Sequence, residues 1–319
     1  METTTIPAVR VNTAAIFETR LTVTMLGNLS IRRGTETLQA NQLGGPKARQ
    51  ILEILLLHLG TPVSKSTLID MLWDGEAPLA AISTLESYVS VLRRCLQPGR
   101  GKSGALKTTT GGYLIDASMV DLDIKIFDDL LHKASCLPAE QAYACLCEAL
   151  AMATGPLLGS ELLPEWAENE RRVHEARVAE AAVQAAAMAF ELGLLHEATD
   201  RARAVLDTDQ LNEQAWTTLI LVLEAENNLV AGLRAYERCR SIFARELGCT
   251  PGPVLRDAQC RLLRATSEVD DDFGRAVHAL LAVQGLLEGR TGLGEPMAGL
   301  QAAGTVISGY LERARLQYN

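Results

Sequence analysis

The stretch AAISTLESYVSVLRRCL (Ala80–Leu96) has an apolar period of three to four residues, which predicts one α-helix with a single buried stripe. The members of that stripe are Leu85, Val89, Leu92 and Leu96. The opposite stripe carries hydroxyl and guanidinium groups and little negative charge: Ser83, Ser87, Ser90 and Arg94, flanked by Thr84, Tyr88 and Arg93. Such groups bond to phosphate oxygens and base edges, so this face suits a DNA groove. An ordinary solvated face is the alternative.

A small sheet and two further helices are predicted before this stretch. Short alternating runs from Leu21 (LTVTMLG, LSIRRG and ETLQ) predict an antiparallel meander, and Gly45-Pro46 begins a helix. Ser64 suits the N-cap of a second helix, and the breakers Asp74–Pro78 form the turn into the third. The residues predicted to be buried in the first two helices are Ile51, Leu52, Leu55, Leu56, Leu59, Leu68, Ile69, Leu72 and Trp73.

Two cations stand in the first turn of the first helix, where they oppose the helix dipole. They are Lys47 and Arg49. A nearby phosphate would explain them, and plain solvent exposure is the alternative. Both are therefore candidate DNA contacts.

A basic loop and a hairpin follow the third helix. Pro98–Gly104 is the loop, and ALKTTTGGYLID (Ala105–Asp116) predicts two short strands around a Thr-Gly-Gly turn. Strands, three helices and a terminal hairpin, in this order, describe a winged helix. In that fold the third helix enters the major groove and the wing reaches the neighbouring backbone or minor groove. The predicted wing contacts are Lys107, Thr108 and Thr109.

The charge of the chain is unevenly distributed. The net charge is -9, yet residues 21–117 hold ten Lys and Arg against seven Asp and Glu, whereas residues 118–319 carry -12. A mildly basic first third joined to an acidic remainder suits a DNA-binding module with a separate partner-binding module. The 4% aromatic content and the many alanines and leucines of the second half favour helices packed on helices.

No pattern of an enzyme, a cofactor site or a metal site emerges from the sequence. Gly101-Lys102-Ser103 has the end of a phosphate-binding loop, but the required earlier glycine position holds Leu96. Cys145-x-Cys147 lacks a second ligand pair at zinc spacing, and the five histidines form no catalytic motif. Seven scattered cysteines indicate reduced thiols of a cytosolic protein, and we expect no signal peptide, no membrane span and no cofactor.

Helices dominate the prediction from Val120 onward. A long helix is expected from near Pro164 to Leu192. The strings Gly193-Leu194-Leu195 and Asn227-Asn228-Leu229 are offset by 34 residues, the period of tetratricopeptide helix pairs, with Trp216 and Leu219 in the first helix of the second pair. Further helices are predicted from Asp270 to Leu287 and up to Leu316, without an assigned role.

Five strings resemble the streptomycete antibiotic regulatory proteins, in the same order: GPKARQILEILLLH, VSKSTLIDMLW, STLESYVSVLRRCL, TTTGGYLID and VDLDIKIF. The later string ARELGCTPGPVLRDAQCRLL (Ala244–Leu263) also resembles them, and the likeness covers roughly residues 20–265. Members of this family are transcriptional activators with an OmpR-type winged helix followed by a bacterial transcriptional activator domain. They bind direct repeats upstream of biosynthetic promoters and recruit RNA polymerase.

The resemblance implies roles for individual residues. The residues that would face bases or phosphates are Ser83, Thr84, Ser87, Tyr88 and Arg94, and the wing would use Lys107 and Thr109. We also expect Arg93 to contact DNA, and the turn residues Asp74, Gly75 and Glu76 to contact polymerase. Family members commonly have an arginine where this chain has Val91, which we expect in the middle of the reading face. Valine cannot donate to guanine, although it packs on a thymine methyl. We therefore expect the site preference of this protein to be set there.

The predicted chain is mainly α, and its parts are a flexible tail (1–19), an α+β winged-helix DNA-binding domain (20–117), an all-α, tetratricopeptide-like activator domain (120–265) and a C-terminal helical extension (266–319). The predicted function is cytoplasmic, nucleoid-associated activation of a secondary-metabolite (antibiotic) gene cluster. The expected partners are double-stranded DNA with direct repeats, RNA polymerase holoenzyme and a second copy of the chain. The alternatives are a helical scaffold or ligand sensor whose winged helix contacts protein, and a repressor with the same DNA geometry.

Overall fold

The computed structural model describes residues 20–99, 104–161 and 164–267. The predicted tail, part of the basic loop and the predicted helices beyond residue 267 lie outside these ranges. The strands are β1 (Leu21–Thr24), β2 (Ser30–Arg33), β3 (Glu36–Gln39), β4 (Val63–Ser64), β5 (Leu106–Thr109), β6 (Gly112–Ile115) and β7 (Val120–Leu122). The helices are α1 (Pro46–Leu57), α2 (Lys65–Trp73), α3 (Ala81–Leu96), α4 (Asp123–Ala134), α5 (Ala139–Met152), α6 (Glu165–Glu191), α7 (Leu195–Thr208), α8 (Glu213–Ala225), α9 (Leu229–Glu246) and α10 (Pro253–Ser267).

The N-terminal sheet has the strand order β3-β2-β1-β7. Its first three strands form the predicted antiparallel meander, with Leu21 opposite Arg33 and Ile31 opposite Leu38. Apolar side chains alternate inward along β1, where Leu21 and Val23 are buried. The fourth strand, β7, pairs in parallel with β1, which the local pattern did not predict.

The three helices α1, α2 and α3 follow the predicted order. Ser64 caps α2, because its Oγ accepts a hydrogen bond from the backbone N–H of Thr67 at 3.0 Å. The turn after α2 is tight: Asp74 and Gly75 both adopt positive φ, 49° and 82°. Helix α3 packs against both α1 and α2 through its leucine stripe, which confirms the predicted inward face.

The wing is a three-stranded sheet of order β4-β6-β5. Strands β5 and β6 form the predicted hairpin, and the two-residue β4, which was not predicted, pairs with β6 through Val63 and Tyr113. A Cβ at Gly112 would overlap the carbonyl oxygen of Val63, so the absence of a side chain allows β4 to approach. Sheet, helices and wing share one apolar core.

Residues after the winged helix are joined to it by backbone contacts. The N–H of Gly27 donates to the Pro156 carbonyl at 2.9 Å, and the N–H of Leu158 donates to the Met25 carbonyl at 3.0 Å. The carboxylate of Asp123, the first residue of α4, accepts the N–H groups of Met25 and Leu26 at 2.8 Å each. These bonds tie the start of the helical region to the end of β1.

Helices α7 to α10 pack against one another around their own core. Helices α7 and α9 begin at Leu195 and Leu229, which reproduces the predicted offset of 34 residues. Trp216 and Leu219 are buried in this core, and the indole N–H of Trp216 donates to the carbonyl of Gln210 at 2.9 Å. The predicted fold class, a winged helix followed by tetratricopeptide-like helices, is therefore confirmed.

The chain divides into two compact units, residues 1–181 and 182–319, and the division falls within α6. The first unit contains the winged helix together with α4 and α5. The predicted domain limits of 20–117 and 120–265 stay predictions.

Candidate nucleic-acid interface

Helix α3 buries one stripe and exposes the opposite one, as its sequence predicts. Leu85, Val89, Leu92 and Leu96 are at most 2% exposed. The exposed positions on the other side include Ser83, Ser87, Ser90 and Arg94. Arg94 has no ion pair or hydrogen bond to any described residue, so its guanidinium is available to a ligand.

The hydroxyl groups at the N-terminal end of this face bond to their own helix. Ser83 Oγ and Thr84 Oγ1 donate to the Ala80 carbonyl at 3.0 and 2.9 Å, and Ser87 Oγ donates to the Ser83 carbonyl at 2.9 Å. Their hydrogen atoms are occupied while their oxygen lone pairs remain free. In this rotamer the face presents acceptors, which suit the amino groups of adenine and cytosine.

The flank of α3 that faces the wing is held by hydrogen bonds and a cation–π contact. Arg93 Nε donates to the Leu106 carbonyl at 3.2 Å, and its Nη2 donates to Thr108 Oγ1 at 2.7 Å. The same guanidinium lies 5.9 Å from the ring centroid of Tyr113. Arg93 therefore links the wing to α3 through its Nε and Nη2 groups.

A carboxylate on the exposed side of α3 is neutralised on the same flank. Glu86 Oε1 lies 2.6 Å from Lys65 Nζ, at the start of α2. Because the pair is largely exposed, its contribution to stability is small. The ammonium group of Lys65 balances the one negative charge of Glu86 on the face that DNA would approach.

The opposite flank of α3 packs against the residues before α1. A Cβ at Gly44 would overlap the Cγ1 methyl of Val91, and Cys95 Sγ contacts the carbonyl of Gln42 at 3.4 Å. Val91 is half-buried there, at the edge of the exposed face rather than in its middle. Tyr88, on the same helix, also packs partly against the core.

The two cations at the start of α1 have partners inside the protein. Lys47 Nζ donates to the carbonyl of Leu72 and lies 5.8 Å from the ring centroid of Trp73. The guanidinium of Arg49 forms an ion pair with Glu161, whose carboxyl group is almost fully buried. These bonds account for both cations without a phosphate.

The wing presents a mixed surface. Lys107 Nζ pairs with Asp116, and this hydrogen bond, together with those from Ser118, lowers the pKa of the Asp116 carboxyl to about 2. Thr108 is exposed, whereas Thr109 is half-buried and its hydroxyl has no hydrogen-bond partner among the described residues. Asp74, Gly75 and Glu76 lie on the exposed turn between α2 and α3.

Two exposed apolar side chains at the N-terminal end of α3 were missed by the sequence reasoning. Leu79 is fully exposed, and Ile82 is 58% exposed in the first turn of α3. Ile82 lies seven residues before Val89, so the helical period places it near the buried stripe. The structure nevertheless leaves Ile82 exposed, whereas its neighbour Ala81 is buried.

The described residues contain no group of three or more His, Cys, Asp or Glu side chains placed to hold a metal ion. None of the described helices combines the length and the apolar character needed to cross a bilayer.

Two family models match consecutive parts of the chain. "Transcriptional regulatory protein, C terminal" matches residues 41–115, and "Bacterial transcriptional activator domain" matches residues 122–263. The first match contains α1, α2, α3 and the wing. The second begins in β7 and ends in α10.

Similar proteins include three bacterial regulators. Regulatory protein AfsR of Streptomyces griseus is 30% identical over 254 residues, which are 78% of this chain and 25% of AfsR. Regulatory protein DnrI of Streptomyces peucetius is 29% identical over 245 residues, 70% of this chain and 86% of DnrI. Transcriptional regulatory protein MoaR1 of Mycobacterium tuberculosis is 28% identical and covers 82% of this chain and 85% of its own. The chain thus spans about a quarter of the length of AfsR.

A solved structure shares this fold. EmbR of Mycobacterium tuberculosis, in complex with a low affinity phosphopeptide, superposes with a TM-score of 0.67 at 26% identity. The match covers 85% of this chain and 72% of the EmbR chain.

Proposed function

We propose that this chain, which belongs to the streptomycete antibiotic regulatory proteins, is a sequence-specific activator that inserts α3 into the major groove of DNA. These regulators join an OmpR-type DNA-binding domain to a bacterial transcriptional activator domain. The observation that carries this proposal is the exposed polar stripe of α3, opposite a fully buried leucine stripe and beside a wing.

Within this stripe the side chains have separate tasks. Ser83 and Ser87, in the N-terminal half of α3, meet base edges, while Arg94 in the last turn meets a phosphate. Val91, half-buried at the edge of the exposed face, offers a methyl surface to thymine beside them. This arrangement gives direct readout through acceptors and apolar contact, with the one free guanidinium of α3's described surface used for positioning.

The wing contributes backbone contacts. Thr108 and Thr110 are exposed near the hairpin turn, and Lys107 can exchange Asp116 for a phosphate because both side chains are partly exposed. Arg93, Lys47 and Arg49 take supporting roles, since each has a hydrogen-bond or ion-pair partner within the protein. They hold the wing and α1 in place relative to α3.

The finer parts of the proposal follow from the family. The protein binds direct repeats as a side-by-side pair, its exposed turn Asp74–Glu76 contacts RNA polymerase, and the regulated promoters belong to antibiotic biosynthesis. The exposure of that turn and of Leu79 next to it supports a protein contact at this end of α3.

Changing Arg94 to Ala tests the DNA contact. Loss of one phosphate contact should weaken binding to promoter DNA from the neighbourhood of the gene about tenfold, and should reduce the slope of log K against log salt by about 0.9. Fluorescence anisotropy over a salt series measures both quantities.

Arg172→Ala is the matched control for this variant. Arg172 is an exposed arginine on α6 whose side chain bonds to Asn169, so the same charge is lost away from α3. Affinity and salt slope should stay at wild-type values in the control. If Arg94→Ala behaves like the control, α3 is not the DNA-contacting helix.

A further inference from the structure

A groove in the second unit is rimmed by arginines and floored by apolar side chains. It has a volume of about 400 Å³ and is lined by residues of α7, α8 and α9. The floor consists of Leu206, Trp216, Leu219 and Leu223, which are at most 7% exposed, and half-buried Ala231 and Ala235 complete it. All of these residues lie within the single core of α7 to α10.

The arginines of this groove have no partner among the described residues. The described part of the second unit, residues 182–267, contains nine arginines. Arg240, Arg245 and Arg261 pair with carboxylates, and Arg201 and Arg264 make other contacts. The four without an ion pair or hydrogen bond to a described residue are Arg203, Arg234, Arg238 and Arg256. Three of these four line the groove.

This concentration of positive charge is not a by-product of a basic surface. The same residues, 182–267, contain eleven carboxylates, so this part of the chain is acidic overall. Asp207 is the one carboxylate among the described lining residues, and it lies one helical turn from Arg203 without pairing with it. The groove is thus a positively charged site within an acidic unit.

The spacing of the arginines suits a peptide. Arg234 and Arg238 are four residues apart on α9, which places their Cβ atoms roughly 6 Å apart on one face, and Arg203 stands on α7. Each guanidinium presents a planar fork of donors that matches a carboxylate. Two carboxylates one turn apart on a ligand would meet Arg234 and Arg238 together.

We propose that this groove binds an acidic peptide segment of a partner protein, with carboxylates on Arg203, Arg234 and Arg238 and an apolar side chain on the floor between them. The apolar floor favours a peptide over nucleic acid, because duplex DNA offers phosphates but no side chain to cover it. The proposal concerns α7 to α9 alone and is independent of DNA binding by α3.

A set of synthetic peptides of about a dozen residues tests this proposal by fluorescence anisotropy with the full chain. In some peptides of the set, Glu and Leu residues stand three or four positions apart, as on one face of a helix. In the others, Glu and Leu alternate, as in an extended strand. Matched sets replace each Glu by Lys, or each Leu by Ser. Binding is expected only for members with both Glu and Leu, and it should weaken as salt is raised.

The variant Arg234→Glu/Arg238→Glu should weaken the best peptide at least tenfold, because two attractive contacts become repulsive. The control Arg256→Glu reverses an equally exposed and unpartnered arginine of α10 outside the groove, and should change the affinity less than twofold. Since the altered side chains are exposed, thermal unfolding and promoter binding should match wild type and show that both variants are folded.

Two results would overturn the proposal. One is that no peptide of the set binds the wild-type chain more tightly than the double variant. The other is that non-specific duplex DNA displaces the peptide and itself loses affinity in the double variant, which would assign the arginines to phosphate binding.

Discussion

Glu53 is a carboxyl group buried in the first unit without a hydrogen bond to either of its oxygens from a described residue. Burial, followed by the nearby carboxylate of Glu161, raises its pKa from 4.5 to about 8, against the opposing effect of Arg49. Glu161 instead takes the hydrogen bonds, from Arg49 and from Gln50. Glu53 is therefore protonated in the folded protein at neutral pH.

This raised pKa predicts a pH-dependent stability. In the window between 4.5 and about 8 the folded protein binds a proton that the unfolded chain has lost, so stability falls as the pH rises through that window. Glu53→Gln removes this titration. At pH 8 it should increase the free energy of unfolding relative to wild type by a few kcal/mol, roughly 2–4, with a much smaller gain at pH 5.

Urea unfolding at the two pH values measures this difference. Glu140→Gln, at an exposed carboxylate in the first turn of α5, is the control and should follow wild type at both. Equal pH dependence in Glu53→Gln and wild type would show that Glu53 does not titrate in this range.

At the scale of elements, the contact between α3 and the start of α1 depends on Gly44. Its φ is +87°, and a Cβ there would also overlap Val91. Gly45 has a similar φ of +95° but no atom within 4 Å of the same Cβ position. An alanine at either position would strain the backbone, but only an alanine at position 44 would also overlap another side chain. Comparing the two substitutions therefore separates the two effects.

Gly44→Ala should accordingly destabilise the protein more than Gly45→Ala, by roughly 1–3 kcal/mol. Combining Gly44→Ala with Val91→Ala should recover most of that difference, because the smaller side chain removes the overlap. Chemical denaturation of the singles and the double measures the coupling. If the changes in unfolding free energy of the two single variants simply add in the double variant, the packing of α3 does not depend on Gly44.

The elements that the sequence predicts are those with a strong local period. The leucine stripe of α3, the Ser64 cap and the 34-residue offset of α7 and α9 depend on neighbours close in the chain, and all three were found. Strands β4 and β7 were not predicted, because two or three residues carry no period and their pairing partners are distant in sequence. The internal bonds of Arg93 and Arg49 were missed for the same reason.

At the scale of the whole molecule, the two compact units divide the proposed tasks. The first presents the α3 face and the wing, and the second presents the groove, whose three arginines have no partner among the described residues. The net charge, summed over residues, contrasts a basic first third with an acidic remainder. This sum does not predict that Arg49 and Arg93 in the first third bond to groups within the protein. It also does not predict that arginines gather in one groove of the acidic remainder.

Footprinting of the full chain on promoter DNA that flanks its gene tests the central claim, that the exposed stripe of α3 reads DNA, most directly. At physiological salt, we expect protected segments spaced by about one helical turn, roughly 10 base pairs. Ser87→Glu, which places a carboxylate on that stripe, should abolish them, whereas Ser241→Glu, at an exposed position of α9, should leave them intact. No protection by the wild-type chain, or an unchanged footprint with Ser87→Glu, would contradict it.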